Sequence, residues 1–310
     1  MKVIGAPTPV WDAAVDAYLG RLRADNCTPA TIETYRTLLI GGRSVAFRKR
    51  HEVTNPGQLV PVVLESLKRE FLCDGLRPST VDDYCRVWRS FSSYCIDRGW
   101  LTSVDILRVK GPRQPQVRPP VFTAEEERLL LSACRCRRDR VLVRIVIETG
   151  LRRSEIANLT VDDLIDAGQA WVVRVRQGKG RKDRGVPISD AFAAELEQYL
   201  SKVRPRAVCR SLFLTSTRCV AGDFGPLSST GIYMIWRRLG QATGIRAYPH
   251  KARHTFATRL AQDGVVPWAI QRALGHSTIA MTERYVDAAS IDLLDAFARR
   301  TPRQRTGLRL

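Results

Sequence analysis

Apolar residues recur every three or four positions through most of the chain, the spacing of one helical face. Val15, Tyr18, Leu19 and Leu22 form one such stripe, and Ile32, Tyr35, Leu38 and Leu39 form the next. The same period runs through Val60 to Phe71 and Val81 to Ile96. A short echo links Pro29-Ala-Thr-Ile-Glu-Thr-Tyr35 with Pro78-Ser-Thr-Val-Asp-Asp-Tyr84. In both, a proline suits a first helical position and nearby acids suit the helix dipole. The first third of the chain therefore predicts a small all-helical domain over residues 1–108. At Val109 to Val121 the pattern breaks into VKGPRQPQVRPPV, with four prolines, three basic residues and no acid. Proline forbids helix continuation, so 109–121 reads as an extended basic linker.

A second domain is expected over 122–310. Thr123 stands three residues before Glu126 and just ahead of Leu129, Leu130 and Leu131, which is the capping-box arrangement of a helix start. Helices are expected at Arg140 to Thr149 and Ser154 to Leu159, on either side of Gly150. Trp171 to Arg176 and Gly185 to Ile188 then alternate β-branched and other residues around Gly178-Lys179-Gly180, the pattern of two strands and a turn. From Ala191 onward the period is helical again, at Ala191 to Val203, Ser229 to Ala242, His250 to Asp263, Val266 to Leu274, Ile279 to Val286 and Ile291 to Ala298. The tail from Arg299 carries five arginines and no acid, and is expected to fray. The fold class is mainly α with a small antiparallel β-sheet.

Charge narrows the class of partner. Among 310 residues, 50 Lys and Arg oppose 31 Asp and Glu, for a formal net charge of +19. That balance belongs to a binder of polyanions. Eight of the 50 are lysines and the other 42 are arginines, whose planar fork can hold two phosphate oxygens at once. A single core stops growing near roughly 250–300 residues, which agrees with two domains. No apolar run approaches the roughly 18 residues of a membrane span, and Met1 to Trp11 has no signal-peptide pattern, so a cytoplasmic protein without membrane contact is expected. Eight cysteines (27, 73, 85, 95, 134, 136, 209, 219) include no CxxC pair. They are expected to be reduced thiols, with no bound metal or cofactor.

Four short motifs carry candidate chemistry. In Thr149-Gly150-Leu151-Arg152-Arg153-Ser154-Glu155, Gly150 ends one helix and Arg152 opens the next, so an arginine stands beside a helix N-terminus, where anions bind. Lys179 sits at a hairpin tip, from which a lysine can deliver a proton to a leaving oxygen. His250 and Arg253, at i and i+3 in Pro249-His-Lys-Ala-Arg-His254, project from one helical face. Leu274-Gly275-His276-Ser277 is followed nine residues after the histidine by Tyr285. Each motif also has a plain reading: a solvated arginine, a charged turn, a helix start with His254 in the core, a packed tyrosine.

Taken in order, the four motifs resemble the tyrosine recombinase, or phage-integrase, family of site-specific DNA recombinases. That family's pattern is an arginine in a TGLR-like turn, a hairpin lysine, His-x-x-Arg, then Leu-Gly-His and a tyrosine about nine residues on. Arg152, Lys179, His250, Arg253, His276 and Tyr285 match it without a substitution. The stretch from Arg77 to Gly99 is also similar to the family's N-terminal domain. The resemblance implies an N-terminal helical (SAM-like) core-binding domain and a C-terminal catalytic domain that close as a clamp on double-stranded DNA with short inverted-repeat core sites. It implies that Arg152 and Arg253 grip the scissile phosphate, Tyr285 attacks it, His250 takes the tyrosine proton, His276 bonds the phosphate and Lys179 protonates the departing 5′ oxygen, with Glu155 supporting the site. It further implies a 3′-phosphotyrosyl link that rejoins without ATP or metal, and a homotetramer at a Holliday junction, formed by exchange of C-terminal helices, with Ile291 to Ala298 as the exchanging segment. A nucleoid-associated location follows. The residues do not name the target DNA, the mobile element or chromosome served, or any accessory DNA-bending protein. Two alternatives stay open: a type IB topoisomerase that relaxes supercoils, and a non-catalytic DNA-binding regulator.

Overall fold

The computed structural model describes residues 8–114, 119–168, 170–176, 183–218, 222–276, 278 and 282. The chain divides into two compact units, 1–116 and 117–310.

The first unit is helical throughout its described part. Helices α1 (Trp11–Ala24), α2 (Pro29–Ile40), α3 (Gly42–Arg50), α4 (Pro61–Cys73) and α5 (Pro78–Asp97) surround one core. α2, α4 and α5 each begin on a proline, which loses nothing at a position whose N–H has no helical partner. The core is aromatic, with Trp11, Trp88, Phe47, Phe71 and Phe91 all nearly or fully buried. Both buried indoles find acceptors in the last turn of α2: Trp88 Nε1 donates to the Leu38 carbonyl (2.9 Å) and Trp11 Nε1 to that of Leu39 (3.3 Å). Carbonyls at a helix end lack intrahelical partners, so both sides of each bond are satisfied. The apolar period does not reveal α3, because only Ser44 and Phe47 of its nine residues are buried.

The second unit holds α6 (Ala124–Ser132), α7 (Arg137–Thr149), α8 (Arg153–Ala157), β1 (Leu164–Asp166), β2 (Trp171–Val175), β3 (Arg184–Ile188), α9 (Asp190–Lys202), β4 (Leu214–Arg218), β5 (Phe224–Pro226), α10 (Ser229–Thr243), α11 (Pro249–Gln262) and α12 (Pro267–Leu274). The capping box at α6 forms as the sequence predicts: Glu126 N–H donates to Thr123 Oγ1 (3.1 Å) and Thr123 N–H to Glu126 Oε2 (3.0 Å). β1, β2 and β3 form an antiparallel sheet in that order, with Val173 opposite both Leu164 and Val186. The core packs α7, α9 and α10 with the inner face of this sheet, through residues such as Val143, Val173, Phe192 and Trp236.

The sequence pattern assigns no element between the expected helices at Ala191 to Val203 and Ser229 to Ala242. β4 and β5 pair there as a second antiparallel sheet. Beyond Leu214, β4 is half-buried at Thr215 and exposed from Ser216 to Arg218, so no two-residue hydrophobic alternation marks it. β1 was likewise missed, since three residues are too few to show a period. The expected helices at Ile279 to Val286 and Ile291 to Ala298, and the tail, lie outside the described residues apart from Thr282.

Candidate active site

The end of α7 sets the first arginine. Gly150 takes a left-handed conformation (φ 60°), and a Cβ there would lie 2.5 Å from Phe256 of α11 and 3.1 Å from Leu274 of α12. Only glycine meets both demands. The chain turns through buried Leu151, and Arg152 stands immediately ahead of α8.

Glu155, one turn on, holds Arg152 twice: the Arg152 backbone N–H donates to Glu155 Oε2 (2.8 Å) and Nη1 donates to Oε1 (2.9 Å). The anion cradle expected from the α8 N-terminus is therefore occupied in part by the protein's own carboxylate. What is left for a ligand is the arginine side chain, still 26% exposed.

α12 organises the rest. Its last-turn carbonyls have no partner within the helix and sit at the negative end of the dipole. Three arginines take them. Arg184 Nε donates to Ala273 O (2.7 Å), Arg253 Nη2 and Arg152 Nη1 both donate to Leu274 O (2.6 and 3.3 Å), and Arg152 Nη2 donates to Gly275 O (3.0 Å). Arg253, from the first turn of α11, also donates Nη1 to Gly150 O (2.7 Å) and is only 1% exposed. Two guanidiniums from different helices thus meet on one carbonyl.

No motif marks Arg184, which is one of several basic residues in and after the hairpin. Its side chain is 7% exposed and its guanidinium forks onto Glu155, Nη1 to Oε1 (3.0 Å) and Nη2 to Oε2 (2.8 Å). A signal was available, because residues 184, 186 and 188 share one strand face and Val186 and Ile188 are buried. An arginine on an inward face requires an acid to meet it. Burial alone would raise the Glu155 carboxyl, but hydrogen bonds and charge from Arg184 and Arg152 overcome that and hold it below the ordinary range. Gly275, left-handed at φ 64°, leaves room for this pair, since a Cβ would come 3.0 Å from Arg184 Nη1.

The histidines fall at two places. His250, at the start of α11, is exposed and its ring meets that of His254 edge-on, with centroids 4.4 Å apart. His254 is mostly buried, as the helix-start reading expects. His276 follows Gly275, and its Nδ1 shares a hydrogen bond with Oγ1 of fully buried Thr282 (2.9 Å), which fixes the ring plane.

Arg152, His250 and Arg253 line one hollow of about 390 Å³ together with Arg153, Ser154, Ser229, Tyr233 and Tyr248. The structure thus brings three of the six motif residues around one space, with Glu155 beneath Arg152. His276 lies beside that space through the Gly275 carbonyl, which Arg152 holds. Lys179 and Tyr285 lie outside the described residues. Paired guanidiniums held on carbonyls are suited to a phosphodiester, whose oxygens gain charge as phosphorus is attacked.

A mixed helical unit that converges arginines and a histidine on one hollow has the architecture of the tyrosine recombinase class. The model of the phage integrase family matches residues 120–290, and the chain belongs to that family. Tyrosine recombinase XerA of Thermococcus kodakarensis is 39% identical over 180 residues, covering 57% of this chain and 61% of that protein. Tyrosine recombinase XerD of Listeria innocua is 30% identical over 241 residues, covering 74% and 78%. In fold, the chain is similar to a lambda integrase fragment crystallised as a dimer on a COC′ core site (TM-score 0.70, 16% identity, 90% of this chain and 96% of that one). It is also similar to XerH bound to a palindromic difH substrate (TM-score 0.69, 20% identity, 92% and 83%).

Proposed function

We propose that this chain is a site-specific recombinase that cuts and rejoins double-stranded DNA at short inverted-repeat core sites through a 3′-phosphotyrosyl intermediate. The observation that carries the reading is the shared Leu274 carbonyl, which sets Arg152 and Arg253 side by side on the hollow that His250 also lines. Two forked cations there stabilise the charge that grows on the non-bridging oxygens. Tyr285 is the nucleophile: its oxygen bonds to phosphorus, the bond from phosphorus to the 5′ oxygen breaks, His250 accepts the tyrosine proton and Lys179 supplies one to the departing 5′ oxygen. His276, oriented by Thr282, hydrogen-bonds the phosphate. The new link keeps the energy of the bond it replaced, so a 5′ hydroxyl from another strand reverses the step without a nucleotide. Exchange of four strands takes four protomers on a Holliday junction, with 291–298 as the exchanged segment, and the work takes place on the nucleoid.

Covalent trapping tests the reading. Purified protein is incubated with sheared host DNA, denatured in detergent, and the ends of the protein-linked fragments are sequenced. Wild-type adducts clustered at one inverted repeat, absent with Tyr285→Phe, are expected. Scattered adducts would indicate a topoisomerase, and an adduct surviving in Tyr285→Phe would remove Tyr285 as nucleophile. Lys179→Ala should cut slowly on normal DNA and recover on DNA with sulfur in place of the 5′ leaving oxygen, which needs no acid.

A further inference from the structure

We propose that Arg153 and Tyr233 form a second phosphate subsite, which holds the backbone phosphate next to the one that is cut. The inference rests on the recombinase reading of the adjoining pocket.

The hollow is larger than one phosphate requires. Its volume is about 390 Å³. Beside Arg152, His250 and Arg253, its lining includes Arg153, Ser229 and Tyr233. These last three have no part in the reaction described above.

Arg153 differs from the arginines beside it. Arg152 gives one Nη group and Arg184 both of its Nη groups to Glu155, whereas among the described residues Arg153 forms no ion pair. Instead its guanidinium carbon lies 5.6 Å from the centroid of the Tyr233 ring, and 42% of Tyr233 is exposed. The attraction of the cation to the ring limits the arginine's rotamers, and its N–H groups remain for an anion. Ser229 is one turn before Tyr233 on α10, so its hydroxyl is on the same helical side and reaches the same space. A positive, pre-oriented donor with two hydroxyls nearby, one residue along from a catalytic arginine, matches the next phosphate of the same strand.

The test uses a duplex carrying the core sequence recovered by covalent trapping, with one flanking phosphate at a time replaced by an uncharged methylphosphonate. Wild-type protein should lose about tenfold in binding and in adduct formation when one phosphate beside the scissile one is neutralised, the scale of a charge-assisted hydrogen bond. Arg153→Gln should lose about tenfold on normal DNA and be indifferent to that replacement, while Arg153→Lys keeps part of the sensitivity. Tyr233→Leu should fall between them at the same position. Arg153 is exposed, so the variants should fold, and an unchanged circular dichroism melt verifies it. Equal sensitivity of wild type and Arg153→Gln at every flanking phosphate would overturn the subsite while leaving the recombinase reading intact. Absence of any wild-type adduct on any duplex would overturn both.

Discussion

Leu274 ends its helix with a carbonyl that two arginines share, and Glu155 anchors one of them from below. Glu155 therefore supports the site without touching substrate. Glu155→Gln leaves Arg184 buried without its charge partner, and stability should fall by about 3–5 kcal/mol, read from denaturant unfolding. Activity should fall further than stability, because Arg152 loses its support. The pH dependence has a definite sign. Arg184 and Arg152 hold the folded carboxyl below its ordinary value of 4.5, so its contribution is fully present above that value and is lost as pH falls through the lower folded value. The wild-type melting temperature should drop through that acid range, and Glu155→Gln should lack this component of the drop. Arg152, His250, Arg253 and His276 were legible from the motif order alone. Arg184 was not singled out, because the hairpin offers several basic residues and only its place on the inward strand face distinguishes it.

Elements with local signals were easiest to read. Helices α1, α2, α4 and α5 carry apolar stripes within their own sequences, the last three also proline starts, and α6 carries its cap. Thr123→Ala should cost about 1 kcal/mol by removing one half of that cap, checked by thermal unfolding. Gly150→Ala should be more damaging than a mid-helix glycine change. It meets both a left-handed φ and the ring of Phe256, and a temperature-sensitive loss of DNA cleavage is expected. Short strands were the opposite case. β1, β4 and β5 have three, five and three residues, and pairing with a neighbour defines them rather than any period of their own.

For the whole molecule, the excess of positive charge implies affinity dominated by phosphate contacts. Plots of log K against log salt should be steep, with roughly −0.9 in slope for each phosphate neutralised. Arg153→Gln should reduce that slope by about one, and Tyr285→Phe should leave it unchanged while abolishing the covalent adduct. Among the described residues no helix is long and apolar enough to cross a membrane.

What the amino-acid sequence determined by itself was the helical class of both units, most helix starts, and the identity and order of the motif residues. These depend on interactions within a few positions, where period, proline, glycine and caps act. Tertiary structure alone decided that Glu155 is shared by Arg152 and Arg184, that the end of α12 is the common acceptor for three arginines, and that Arg153 lies over the Tyr233 ring. Those contacts join residues far apart: 29 positions for Arg184 with Glu155, and 122 and 123 for Arg152 with Leu274 and Gly275. No local period encodes such pairings, because they follow from how packed helices and a strand bring distant donors to the few carbonyls and carboxylates still lacking partners.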